Sequence, residues 1–248
     1  MARIINLLLV VAILSGATNA KPSETRNAQS KQGELVSRIT DMLHQLRASC
    51  VERSGSEEGF RQIMTSIQSI KSCAKQYVDV PKLKTDLKTM TRENNKELFE
   101  NYCPQFNKSK VCFEDIIEGV ATCAGQDADE TRAIANDMLN NAVELMCKND
   151  GEIFFETRKP EFHTCVAEFK RNAQDCNTLH FAKGTPMTRL GEAECRAIEE
   201  TKECFRDKLS SCKSTVMGIV DVFYDPIISA NNCQQYKAIQ EPVGNEVE

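Results

Sequence analysis

Residues 111–123 read Val-Cys-Phe-Glu-Asp-Ile-Ile-Glu-Gly-Val-Ala-Thr-Cys. Val111, Cys112, Ile116, Val120 and Cys123 recur at spacings that hold them on one side of a helix. Gly125 follows, free to take the left-handed conformation that closes a helix. Residues 11 positions apart lie about 20° apart in azimuth and about 16 Å apart along a helix axis. A disulfide needs Cα atoms within about 7 Å. Cys112 and Cys123 therefore cannot bond to each other in a continuous helix, and each must reach a neighbouring one. The stretch predicts a helical fold cross-linked through this segment. Cys165 and Cys176 repeat the spacing and predict a second such helix.

The same period extends in both directions. Leu35, Ile39, Met42, Leu43, Leu46 and Cys50 form one stripe. Phe60, Ile63, Ile67, Ile70, Ala74 and Tyr77 form the next, with Ser54 and Glu57 at capping-box spacing before it. Pro81 can open a third helix through Leu83, Leu87, Met90, Leu98 and Phe99, and Cys103-Pro104 is expected to end that segment. Asp127 and Glu130 stand at capping-box spacing before Ile134, Met138, Leu145 and Met146, and Asn149-Asp150-Gly151 stops that helix. Residues 152–158 are ambiguous. Pro160 opens the Cys165 helix, one helix or a pair covers 191–212, and Val216–Ile228 is apolar with a break expected near Asp225-Pro226. No segment sustains the alternation of a strand. The reading is an all-α fold of about eight helices cross-linked by disulfides.

Composition narrows the class. The chain has 248 residues and a formal charge of −5, without the basic excess of a nucleic-acid binder. Residues 1–20 read as a secretory signal peptide: Arg3, an apolar run from Ile4 to Leu14, and small residues Thr18 and Ala20 before a cut. That run is short of the roughly 20 residues a membrane span needs, and no later segment is long and apolar enough. Residues 21–33 read as a flexible N-terminal arm, 34–239 as a disulfide-stapled domain, and 240–248 as an acidic disordered tail.

All 12 cysteines follow the signal: Cys50, Cys73, Cys103, Cys112, Cys123, Cys147, Cys165, Cys176, Cys195, Cys204, Cys212 and Cys233. An even set in an oxidising compartment reads as disulfides, with the pairing open. No C-x-x-C supports zinc or a redox centre, so no metal or cofactor is implied. Asn107-Lys108-Ser109 is a glycosylation sequon, expected in a loop.

The cysteines divide into two sets of six, giving possible tandem halves at about 34–150 and 151–239. Cys103-x8-Cys112 matches Cys195-x8-Cys204, Cys112-Phe-Glu-Asp matches Cys204-Phe-Arg-Asp, and Met90-Thr-Arg matches Met187-Thr-Arg. Once gaps are allowed, chance matching explains such spacings as readily as duplication. A rival alignment pairs Cys112–Cys123 with Cys165–Cys176 but places Glu156 opposite Cys103.

The three histidines, His44, His163 and His180, stand in no catalytic motif. None is followed by Asp, as a secreted phospholipase A2 centre would require. His163 neighbours Cys165, whose expected oxidation removes a thiol nucleophile. No G-x-S-x-G or H-E-x-x-H occurs. The protein thus reads as a non-enzyme with no catalytic residue. The alternative is a carrier of small apolar ligands, fatty or terpenoid. Cys-x8-Cys also closes the pattern of insect odorant-binding proteins, although their Cys-x3-Cys is missing here, and Phe60, Phe169, Phe205 and Phe223 could line a cavity. A secreted enzyme or inhibitor ranks behind both.

Over nearly the whole mature chain, the pattern resembles a specific family. A signal stretch, 12 cysteines through a helical body, Cys-Phe-x-Asp, a sequon and a mass of 27.8 kDa are similar to the insect 27 kDa haemolymph glycoproteins. The resemblance implies a secreted, extracellular glycoprotein circulating in haemolymph, and hands over no catalytic residues or partner.

Overall fold

The computed structural model describes residues 27–172, 176, 187–210 and 214–236. The helices are α1 (Asn27–Ser54), α2 (Glu58–Tyr77), α3 (Val80–Thr89), α4 (Asn95–Ser109) and α5 (Glu114–Ala124), then α6 (Ala128–Cys147), α7 (Glu152–Glu156), α8 (Pro160–Asn172), α9 (Glu192–Lys208) and α10 (Ser214–Ala230). Short 3-10 turns at Lys110–Phe113, Gly125–Asp127 and Cys233–Tyr236 complete the order. Among the described residues no strand occurs, as the apolar spacing predicted. The expected third helix is divided, and the ambiguous stretch after Gly151 forms α7. These two differences account for the segments beyond eight.

Residues 111–124 form the centre of the N-terminal helices. Seven residues of α5 are buried, from Ile116 to Ala124. It packs against α1, α2 and α6. Cys50, Ile63, Ile116, Val120 and Cys123 form one core cluster, with Leu46, Phe60, Ile67 and Ile70 against it. Each fully buried aliphatic side chain of this kind stabilises by about 1.5–3 kcal/mol relative to exposure. Gly125 closes α5 at φ +64°, as its position required.

A second cluster gathers Phe99, Tyr102 and Phe106 of α4 with Val78, Met90 and Val143 of α6. A third joins Ile134 of α6 to Met187, Leu190, Ile198, Ile227 and Ile228. That cluster and the α6–α10 contact hold the later helices onto the earlier ones. The ion pair of buried Asp127 with Arg189, at 2.6 Å, adds a polar tie at the same seam.

Among the described residues five disulfides are formed: Cys50–Cys123, Cys73–Cys112, Cys103–Cys147, Cys176–Cys204 and Cys195–Cys233. Cys165 is disulfide-bonded as well. Cys112 reaches α2 and Cys123 reaches α1, so the α5 segment is a cross-linking hub.

Several local expectations are corrected. Cys103-Pro104 lies inside α4 rather than at its end. Pro104 removes one helix hydrogen bond, to the Glu100 carbonyl, but both residues are exposed, so water can replace it. Pro226 likewise lies inside a continuous α10 instead of breaking it. Between α3 and α4, the Thr91 backbone N–H donates to Asn94 Oδ1 at 2.8 Å and the Glu93 N–H to Thr91 Oγ1 at 3.3 Å. These local bonds compete with the helix and produce the division.

Ser54 does not cap α2. Its hydroxyl donates back to the Cys50 carbonyl at 2.8 Å, and Ser56 Oγ accepts from the Glu58 N–H at 3.2 Å instead. Asp127 makes no side-chain cap for α6, because its carboxylate is turned to Arg189. Cys176 lies beyond the last residue of α8, not within that helix. Residues 27–33, within the stretch expected as an arm, belong to α1. The expected signal peptide, the acidic tail and His180 lie outside the described residues.

Candidate functional sites

The sequon occupies the last turn of α4, not a loop. Asn107 is exposed, and its Nδ2 donates to the Cys103 carbonyl at 3.1 Å. Ser109 Oγ donates to the Phe106 carbonyl at 2.8 Å. The Cys103–Cys147 bridge and the buried Phe106 ring anchor this turn from inside, leaving Asn107 facing outward.

The two described histidines, His44 and His163, are not brought together with a nucleophile. His44 and His163 are exposed, and His163 meets Phe162 edge-on at 5.8 Å between centroids. Cys165, two residues away, is oxidised and offers no thiolate.

The densest electrostatic arrangement lies between α9 and α10. The ammonium of Lys202, itself buried, donates to Asp225 and lies 3.0 Å from Asp221. Arg206 donates to Asp221 at 2.8 Å. Burial alone would raise the Asp221 carboxyl, but the bonds from Arg206 and Lys202 outweigh it and hold the group below its ordinary value. Two cations face two anions, so the set is neutralised internally and ties the helices together. The motif was present in the sequence: Lys202/Arg206 and Asp221/Asp225 are each one helical turn apart. Without knowing that the two helices pack together, the pairs could not be matched.

Beside this set, burial pushes the Tyr224 phenol up to about 12. On α3, Asp86 accepts from Lys82 at 2.6 Å and from the buried Tyr102 hydroxyl at 2.7 Å, and both bonds lower its carboxyl. Glu156, also buried, accepts from Lys159 at 2.9 Å. In each case the carboxylate is matched to a cation, the arrangement of a structural ion pair rather than of an acid–base pair poised for proton transfer. Among the described residues, no group of three His, Cys, Asp or Glu could hold a metal, and no helix is long and apolar enough to cross a membrane.

Three of the four phenylalanines named as cavity lining, Phe60, Phe169 and Phe205, are taken up in packing. Phe169, Phe205 and Tyr224 interlock edge-on at 5.4 and 5.8 Å. Phe60 packs onto the Cys50–Cys123 cluster. A solvent-open groove of about 560 Å³ lies where α2 turns into α3, lined by residues 75–81 and Gln105. Tyr77, Val78, Val80 and Pro81 supply its apolar wall, and Lys75 and Asp79 its charge.

A family described as protein of unknown function (DUF1397) matches residues 36–233. The chain belongs to that family. It is also similar to the 27 kDa glycoprotein of Bombyx mori, at 21% identity over 192 residues that cover 73% of this chain and 82% of the relative. The resemblance drawn from the cysteine pattern, the sequon and the mass therefore stands. No solved structure matches the chain. The helical, cross-linked body occupies the stretch that defines the family.

Proposed function

We propose that the protein is a secreted, non-enzymatic glycoprotein of body fluid, haemolymph in an insect. The observation that carries this reading is the oxidised state of the cysteines, which belongs to an extracellular or lumenal environment. The outward-facing Asn107 and the similarity to the 27 kDa glycoprotein of Bombyx mori support a glycan. The pairing of buried carboxylates with cations supports a structural rather than catalytic use of charge.

Native mass spectrometry of protein purified from its source tests this. The expected species is a chain beginning at Lys21 that carries glycan mass, and alkylation without reduction labels no cysteine. Retention of the signal residues, or labelling of several thiols, would overturn the secreted reading.

The second reading is a carrier of a small apolar ligand, and the groove at residues 75–81 is what favours it. Such a ligand would lie against Tyr77, Val80 and Pro81, with Lys75 available to a carboxylate head. A fatty acid or terpenoid retained in the same spectrum selects the carrier. A bare glycoprotein mass, with no binding of added oleate, removes it.

A further inference from the structure

Numbered within each set of six, the first bridges are 1–5 (Cys50–Cys123), 2–4 (Cys73–Cys112) and 3–6 (Cys103–Cys147). In the second set Cys176–Cys204 is 2–4 and Cys195–Cys233 is 3–6. Its first member, Cys165, is also bonded. Six cysteines can pair in about 15 ways, so repetition of one order is a stronger coincidence than repetition of spacing. No bridge leaves the first set.

The helices agree with the bridges. In both halves a buried methionine, Met90 or Met187, stands in a turn that also exposes an arginine, Arg92 or Arg189. The helix bearing the third cysteine then starts five residues after that methionine, at Asn95 or Glu192. A long helix, α6 or α10, follows the fifth cysteine of each half, ending on the sixth in α6 and three residues short of it in α10. These two pack on each other so closely that a β-carbon on Gly218 would lie 2.7 Å from Leu145 Cδ1. The halves differ at the second, fourth and sixth cysteines: Cys73 lies inside α2, Cys112 in a 3-10 turn and Cys147 at the end of α6, whereas Cys176 lies beyond α8, Cys204 inside α9 and Cys233 in a 3-10 turn.

We infer that the chain is two copies of one six-cysteine helical unit, residues 34–150 and 151–239, that meet through the same helix of each. The join is Asn149-Asp150-Gly151, three successive residues with φ of 50°, 53° and 75°. The seam between the units is built from α6 of one and α10 of the other, which pack on each other. Under the common order the partner of Cys165 is Cys212. Like the others, that bridge forms as two thiols give up two protons and two electrons, the electrons passing by thiol–disulfide exchange to a disulfide oxidant of the secretory route.

The test uses the full chain with a site-specific protease sequence inserted between Asp150 and Gly151. After cutting, the two pieces separate on a denaturing gel without reductant, yet elute together from gel filtration under native conditions. Pieces that stay joined without reductant would put a bridge across the join and overturn the proposal. Pieces that elute separately would overturn the shared-helix seam. If the insertion prevents secretion, peptide mapping of the unreduced wild type decides: Cys165 linked to Cys212 is required, and any other partner refutes the common order.

Discussion

Gly59 of α2 and Gly119 of α5 face each other across their helix crossing, and a β-carbon on Gly59 would lie 2.5 Å from the Gly119 carbonyl oxygen. The converse holds: a β-carbon on Gly119 would lie 2.9 Å from the Gly59 carbonyl oxygen and 2.7 Å from Ile63 Cγ1. Backbone meets backbone, so no side-chain rotation can relieve the contact. Gly59→Ala and Gly119→Ala are each expected to destabilise by about 1–3 kcal/mol through overpacking. Because one separation of the helices accommodates both methyl groups, the double variant should lose less than the sum. Urea unfolding of the three variants measures this, and strict additivity would count against a shared crossing.

The bridge beside that crossing closes a long loop, with Cys50 and Cys123 separated by 73 positions. Cys123→Ser is expected to cost about 2–5 kcal/mol and to reduce secretion. His44→Ala and His163→Ala, at exposed positions, should stay within about 0.5 kcal/mol of wild type. Thermal melting and secreted yield compare the three. A histidine variant that folds normally but loses a reproducible activity would end the non-enzyme reading.

The helical class and the α5 hub were legible because they depend on local spacing: Ile116 and Val120 fall on one face whatever surrounds them. The stop at Asn149-Asp150-Gly151, where α6 gives way to α7, was legible for the same reason. Features set by tertiary packing were not. Asp127 looked like a helix cap, but Arg189, distant in sequence, takes its carboxylate. Pro104 and Pro226 looked like breaks, but burial of Phe106 on one helix and of Ile227 and Ile228 on the other favours continued helix. The Lys202–Asp225 contact required knowing which two helices face each other.

Asn107 is expected to carry a glycan in protein from secretory cells. Its exposure leaves room for a bulky modification, and Asn107→Gln and Ser109→Ala should both remove the added mass. Peptide mapping of the segment around Cys103 reads the result. A peptide found wholly at its unmodified mass would refute occupancy.

Tyr224 predicts an alkaline weakness. Its folded value of about 12 lies above the ordinary 10.0, so the neutral phenol is favoured in the fold. That contribution is complete below pH 10 and is lost as pH rises through about 12. Tyr224→Phe should flatten the fall in stability over this window. Urea unfolding at successive alkaline pH values checks it.

Asp221 predicts the opposite limb. Its folded value lies below the ordinary 3.8, so its contribution is present above that value and is lost as pH falls through the lowered one. Asp221→Asn should lower stability at neutral pH while narrowing the gap to wild type under strong acid. A gap unchanged with pH would show that the Arg206 and Lys202 contacts do not depend on its charge.

The pairing of the first six cysteines entirely among themselves has a consequence for biosynthesis. Every partner in that set is present once Cys147 has been made, so oxidation need not wait for the remaining chain, and N-terminal folding can run ahead during synthesis. Twelve thiols released together could combine in about ten thousand ways, whereas two successive sets of six offer about 225 combinations. Order of emergence thus does much of the sorting that an isomerase would otherwise perform, and refolding of the reduced full-length chain should be far more error-prone than its first folding.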